Sequence, residues 1–495
     1  MMEILFYGGV PYGFGFLQYI FEKEGVFWKE LCYDENNPEH VANCKVQESG
    51  LVCESNLTST PCLRSEAEFN SIYTYFLLTS SITPLILSEI LNKYGLFIFR
   101  LLSATFTTAG LVTLCFYESN PYLLWVSWQL LGVSAVSPIY SNIRELCPLF
   151  PAIKSLSLGL INGFFDASGG MYLVFKLIYD SSPSVSVPTM ITVYTAGSSL
   201  LWIKSFFFSP RYFITGDKTN SVFKESFIGS VCKKHVDINP GKEDENNQKE
   251  EPPTLMEYKK SLLSLNFLTF LLYSIFLTIR TNSFPIWCLP WLKWTFREYP
   301  EERRDQLVSQ NMDIYGIMYF ASILLCPIPG MVTKWIQKCS SRKDSSEEED
   351  EKKGEYYSLL VFLGFAAVAC TALSAQMCMT GSQPNATSAV IEFSMIRTIF
   401  YITRGVYVFQ FFPESHFGFL YAIISVVVGT LQFIIDPLFK LIQNNGEVDF
   451  IPVSAAMAVA CGLCLLQPLY NWCIRDAYIT TNRRTKKEEE EITSM

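Results

Sequence analysis

Apolar runs of about 20 residues recur along the whole chain, the length an α-helix needs to cross a hydrocarbon layer. Twelve such runs can be marked, at roughly 3–21, 68–91, 97–117, 121–143, 154–179, 186–208, 262–285, 312–336, 357–380, 389–411, 417–441 and 450–473. The pattern predicts an all-α membrane protein. Gly8, Gly9, Pro11, Gly13 and Gly15 loosen the first run, and no small-x-small cleavage site follows Phe21, which argues against a cleaved leader. Composition points the same way, since 49% of the 495 residues are hydrophobic and only 17% charged, so much of the surface faces something other than water.

The polar stretches divide the chain. Residues 1–208 and 261–474 each hold six runs, and between them lies 209–260, which contains "PGKEDENNQKEEPP" and almost no apolar periodicity. We read 209–260 as a partly disordered linker and 475–495 as a polar tail. The acidic run "SSRKDSSEEEDEKKGE", Ser340 to Glu355, reads as a solvated loop between the eighth and ninth runs.

Charge placement gives an orientation. The first loop, 22–67, has few basic residues: between Glu22 and Glu68 stand four Lys/Arg against ten Asp/Glu, and 118–121, 180–188 and 381–388 contain no Lys or Arg. Basic residues collect in the alternate loops, at Lys93 and Arg100, Arg144 and Lys154, ten between Lys204 and Lys260, and six between Lys334 and Lys353. By the positive-inside rule both termini are cytosolic, in a multi-pass protein expected at the plasma membrane. The sequons at Asn56 and Asn385 both fall in loops assigned outside. Cys32, Cys44, Cys53 and Cys62 crowd the first of those loops, where oxidising conditions favour pairing in one of three connectivities.

Among the ionised side chains within the runs, the candidates are Asp166, Lys176, Arg280, Arg397, Arg404 and Asp436. Each costs at least about 2.5–3.5 kcal/mol at bilayer depth and should face water or a partner. Lys176, Arg280 and Asp436 lie within about two turns of a run's outer end, near enough to snorkel. Arg397 and Arg404 are seven residues apart, so they share a helix face about 10 Å apart along the axis. Asp166 sits mid-run in "LINGFFDASGG", among glycines that let backbones approach and one turn after Asn162. We expect Asp166 to compensate one of the two arginines across a cavity. Tyr140, Phe165 and Tyr401 complete the substrate-binding candidates, Tyr401 lying one turn after Arg397.

Catalysis finds little support. The three histidines, His40, His235 and His416, lie in three different loops, with no metal-ligand spacing, nucleophile motif or phosphate-binding loop, so neither cofactor nor metal is expected. No basic, aromatic-laced face points to nucleic acid. A small-molecule solute and membrane lipid are the expected partners.

A six-plus-six arrangement with a long central connection resembles the major facilitator superfamily, twelve transmembrane helices in two six-helix halves around a mid-membrane site. The turn "LNKYGLFIFR", Leu91 to Arg100, is similar to that superfamily's tight inner turn, with Asn92 where an acid is usual; "GMVTKWIQK" from Gly330 departs further. More specifically, "FFPESHFGFL", Phe411 to Leu420, resembles the F-P-x-x-H-F-G signature of solute carrier family 43. Also similar are "LINGFFDASGGMYLVFKLIYD", "EKEGVFWKELC" and "LQFIIDPLFKLI". The run Asn162-Gly163-Phe164-Phe165-Asp166 looks more like that family's equilibrative nucleobase branch than its large neutral amino acid branch.

The resemblance implies sodium-independent, reversible passage of purine bases, with an anchoring role for His416 and a disulfide starting at Cys32. Arg404 stands where the nucleobase branch looks neutral, and a second cavity cation suits a carboxylate or phosphorylated solute. Two other readings compete: a uniporter of large neutral amino acids, with Arg397 holding the carboxylate, and a non-transporting receptor or scaffold that binds a partner through its cysteine-rich loop.

Overall fold

The computed structural model describes residues 2–33, 44–47, 50–53, 62–149, 154–182, 184–207, 255–340, 347–443 and 447–474. Helices occupy all twelve expected spans. Seven are continuous and apolar enough to cross a membrane: Leu63–Leu91, Lys93–Leu114, Leu123–Ile143, Leu265–Thr295, Lys353–Gln376, Phe419–Ile442 and Ile451–Ile474. The eighth span qualifies as a pair, Glu301–Leu325 and Pro327–Ile336, bent by 46°.

The other four show why their hydropathy is weaker. The first is broken into Met2–Tyr7, a 3-10 turn Val10–Gly13 and Phe14–Lys23, following its glycines and Pro11. The fifth breaks at Gly169 and Gly170 into Lys154–Ser168 and Met171–Ser181, and the sixth into Val187–Gly197 and Ser199–Phe207. The tenth is continuous, Gln383–Phe411, but carries two arginines. The second and third spans join at Gly95, whose φ of 81° lies where side-chain-bearing residues are rarely found.

Several boundaries differ from the sequence reading. The seventh helix runs ten residues beyond 285, through Pro285 and Pro290, and Ser264 caps its start by accepting from the Phe267 amide. The eighth starts at Glu301 and the tenth at Gln383, both ahead of their first long apolar stretch. Asn385 therefore sits in a helix's first turn, with its amide donating to the Gln376 carbonyl (2.9 Å), and not in a loop; the Asn56 sequon lies outside the described residues. Most of the expected linker, the first half of the acidic run and the tail also lie outside them, but Leu255–Leu262 is helical and Tyr258 packs on His416 and Phe419. The ninth helix begins at Glu347, so the second half of the acidic run is helix, not loop.

The expectation of helices alone needs one addition. Within the 22–67 loop, Cys44–Gln47 and Gly50–Cys53 form an antiparallel hairpin that sets Cys44 opposite Cys53. A Cys32–Cys62 disulfide ties together the two ends of the segment that contains it. We call this end of the bundle the hairpin face, and the opposite end, with Met2 and Ile474, the termini face.

The three charges expected to snorkel do not. Lys176 and Arg280 are fully buried and Asp436 nearly so. Lys176 donates to Asp180 (2.9 Å), Ser309 (2.8 Å) and Asp313 (2.6 Å), tying the fifth span to the eighth. Asp436 accepts from Asn70 (3.2 Å) and Ser71, and Trp287 donates to Asn70 (3.0 Å). Lys293 pairs with Glu22 and, at 3.6 Å, with Glu66. Arg280 meets the Met377 sulfur and the Leu373 carbonyl, because the longer seventh helix places it mid-helix, away from any water boundary. These bonds, Arg280's and the Lys176–Asp180 bond aside, join residues 2–207 to residues 255–474 near the hairpin face.

Close backbone approach packs the first span against the fifth within 2–207 and against the seventh across the seam. A Cβ at Gly13 would fall on the Gly169 carbonyl oxygen, and one at Gly15 would lie 2.7 Å from the Pro285 oxygen. We expect Gly13→Ala to lower stability by about 1–3 kcal/mol, read as a reduced melting temperature of the purified protein. Gly364→Ala, with nothing within 4 Å, should lose none. Replacing Lys176 and Lys293 together by methionine should open the seam. The readout is labelling of a Phe16→Cys variant by a membrane-impermeant thiol reagent, expected to speed up several-fold.

Candidate functional site

Asp166 and Arg397 meet at mid-depth. Asp166 lies on the fifth span three residues before its break, and Arg397 lies midway along the tenth helix. Glycines bring neighbouring backbones in: a Cβ at Gly9 would stand 2.7 Å from the Phe165 carbonyl oxygen, and one at Gly163 2.9 Å from the Cys326 sulfur. A full-sized side chain at either position would push the first or the eighth span away from Asp166.

The Arg397 Nε donates to Asp166 Oδ1 at 2.9 Å, and its Nη1 donates to the Tyr319 hydroxyl at 3.3 Å. The Tyr12 and Tyr319 rings lie 5.0 and 5.4 Å from the guanidinium carbon, within cation–π range. Tyr12 makes an edge contact with Phe165, centroids 5.7 Å apart. Asp166 and Arg397 are buried, being 7% and 4% exposed.

Burial of an ion pair is close to neutral beside an apolar pair of the same size, whereas removal of one partner costs about 3–5 kcal/mol. The pair therefore holds geometry more than it adds stability. Two of its polar atoms remain unused. Among the described residues Asp166 Oδ2 and Arg397 Nη2 take no protein partner, and neither is sealed from accessible space. One acceptor and one donor of the pair are thus left over, with the Tyr12 and Tyr319 rings against the guanidinium.

The other candidates occupy different places around this centre. Phe165 and Asn162 are partly exposed on the fifth span, Phe165 against Tyr12. Tyr401 is partly exposed, but its hydroxyl is engaged, donating to Asn282 Oδ1 at 2.9 Å. Asn282 donates on to Gln432 (2.7 Å), and Gln432 to Ser81 (3.4 Å), a chain that links the tenth, seventh, eleventh and second spans. Tyr140 is away from the pair, 40% exposed although Arg404 and Tyr421 of the opposite half act electrostatically on its hydroxyl. Arg404 lies two turns past Arg397, toward the termini face, donating to Ser425 (3.0 Å) with its guanidinium 5.3 Å from the Tyr421 ring.

No family model matches the chain. Equilibrative nucleobase transporter 1 of Bos taurus is 21% identical over 506 aligned positions, covering 94% of this chain and 93% of that protein. The crystal structure of the nucleoside transporter NupG matches with a TM-score of 0.55 at 11% identity, over 95% of this chain and 98% of that one. PepTSo, a POT family transporter, matches at 0.51 and 10% identity, over 96% and 98%. The chain shares the fold of these two transporters along nearly its whole length. The named relative and neighbours are transporters and not enzymes, and among the described residues no three His, Cys, Asp or Glu side chains converge as a metal site.

Within this fold the sequence reading missed Tyr12, Tyr319, Asn282 and Gln432 as part of the central cluster. Tyr12 stands in the broken first span between Pro11 and Gly13, a position whose glycines signalled close approach. Asn282 and Gln432 are uncharged polar residues in apolar runs, a weaker signal than an ionised group. We expect Arg397→Gln alone to destabilise the purified protein by about 3–5 kcal/mol. The Asp166→Asn/Arg397→Gln double variant should recover most of that loss, as a melting-temperature cycle would show.

Proposed function

We propose that this chain carries purine nucleobases, or closely related planar heterocycles, across the plasma membrane by alternating access, facilitatively and without sodium. The observation that carries this reading is the unused donor and acceptor of the Arg397–Asp166 pair, with the Tyr12 and Tyr319 rings against the guanidinium and Phe165 beside Tyr12. A purine edge offers an N–H beside a ring nitrogen, the complement of Asp166 Oδ2 beside Arg397 Nη2. A flat ring suits the aromatic faces. Similarity to a nucleobase transporter along nearly the whole chain supports the same substrate class.

The proposed division is an N-terminal half of 1–208 and a C-terminal half of 261–474, with 209–260 and the tail, 475–495, cytosolic. The termini face is then the cytosolic one. The structure corresponds to a state closed on the hairpin face, where the Lys176, Lys293 and Asp436 bonds join the halves. The large neutral amino acid reading is weaker here, because Arg397 is already paired and a substrate carboxylate would meet the charge of Asp166.

Tracer uptake in cells expressing the chain tests the proposal. Adenine should enter independently of sodium, and Asp166→Asn or Arg397→Ala should each lower uptake at least fivefold, about 1 kcal/mol of recognition, with surface delivery retained. Leucine uptake without adenine uptake would select the amino acid reading. Surface delivery with flux of neither would select a receptor.

A further inference from the structure

Arg404 is the cavity charge that the central pair leaves over. The residue is 6% exposed, and no carboxylate lies within ion-pairing distance of it among the described residues. One Nη donates to Ser425, while Nε is buried with no partner. Its surroundings are neutral: the Tyr421 ring on its own half, and the hydroxyls of Tyr140 and Tyr401, on which its charge acts. A buried cation without a counterion is costly, and such a charge persists in a membrane protein where water or a ligand reaches it.

We infer that Arg404 forms a second subsite, on the termini side of the Asp166–Arg397 pair, for the negative charge of a monoanionic planar heterocycle. The charge count sets the class. Asp166 cancels Arg397, so the described charges of the central site sum to one positive, Arg404. A ligand with one negative charge brings the sum to zero. A phosphate dianion would leave the site negative and would need further donors that the tyrosine and serine hydroxyls supply only weakly. The heterocycle edge reads the Asp166–Arg397 pair while an attached carboxylate, or an ionised ring, points two turns down the tenth helix to Arg404. The inference deepens the nucleobase reading and rests on the same site.

Uracil and orotate are a matched pair of probes, the same ring without and with a carboxylate. Orotate should compete with adenine uptake at least tenfold more strongly than uracil in the wild type. The preference should fall below twofold in Arg404→Gln and in Ser425→Asp, which sets a carboxylate where Arg404 already donates. Equal competition by both probes in the wild type, or a variant that weakens both equally, overturns the subsite. Should Arg404→Gln fail to fold, Ser425→Asp, whose carboxylate neutralises the guanidinium in place, decides alone. If adenine is not carried at all, the nucleobase reading fails, and binding of radiolabelled orotate to the purified full chain decides the subsite. Binding that Ser425→Asp abolishes sustains it, and no binding to the wild type removes it.

Discussion

A guanidinium and a carboxylate buried together at mid-depth constrain everything around them. Arg397 and Asp166 hold each other inside the bundle, because removal of either leaves an uncompensated charge at a cost of about 3–5 kcal/mol. The two residues come from opposite halves of the chain, one from the fifth span and one from the tenth. Their bond therefore fixes how the two groups of six spans meet. The glycine approaches at Gly9 and Gly163 and the broken first and fifth spans are what allow backbone to come close enough for that bond to form.

The remaining buried charges follow the same logic at the hairpin face. Lys176, Lys293 and Asp436 each take a partner from the other half, besides Asp180 and Lys440 on their own helices for Lys176 and Asp436. Ion pairs of this kind add little net stability, but they are directional and can be exchanged for water when the seam opens. Toward the termini face Arg404 stands beside Tyr421, with no carboxylate in ion-pairing range among the described residues.

Much of this was legible in the chain. Helices stand at all twelve runs because a run of about 20 apolar residues has one low-energy solution in a bilayer. The Asp166–Arg397 partnership was half visible: two arginines competed for one aspartate, and their equal spacing along one face gave no means of choosing. Boundaries failed where polar or proline residues continue a helix inside protein. The seventh span reads as ending at Pro285, yet the buried Trp287, Trp291 and Trp294 extend it, and that extension moved Arg280 from a helix end to its middle. Tyr12 and Gln432 were hidden because uncharged polar residues in apolar runs look alike whether they line a cavity or pack.

The two prolines of the seventh helix bear on how such a bundle moves. Proline has no amide hydrogen, so the carbonyls of Thr281 and Ile286, each four residues upstream, have no helical donor to lose. Bending at that level breaks no existing backbone bond. Asn282, at the start of the amide relay to Gln432, sits inside this weakened segment. A flexible joint is thus built into the helix that carries Asn282, where a small angular change would take the relay with it.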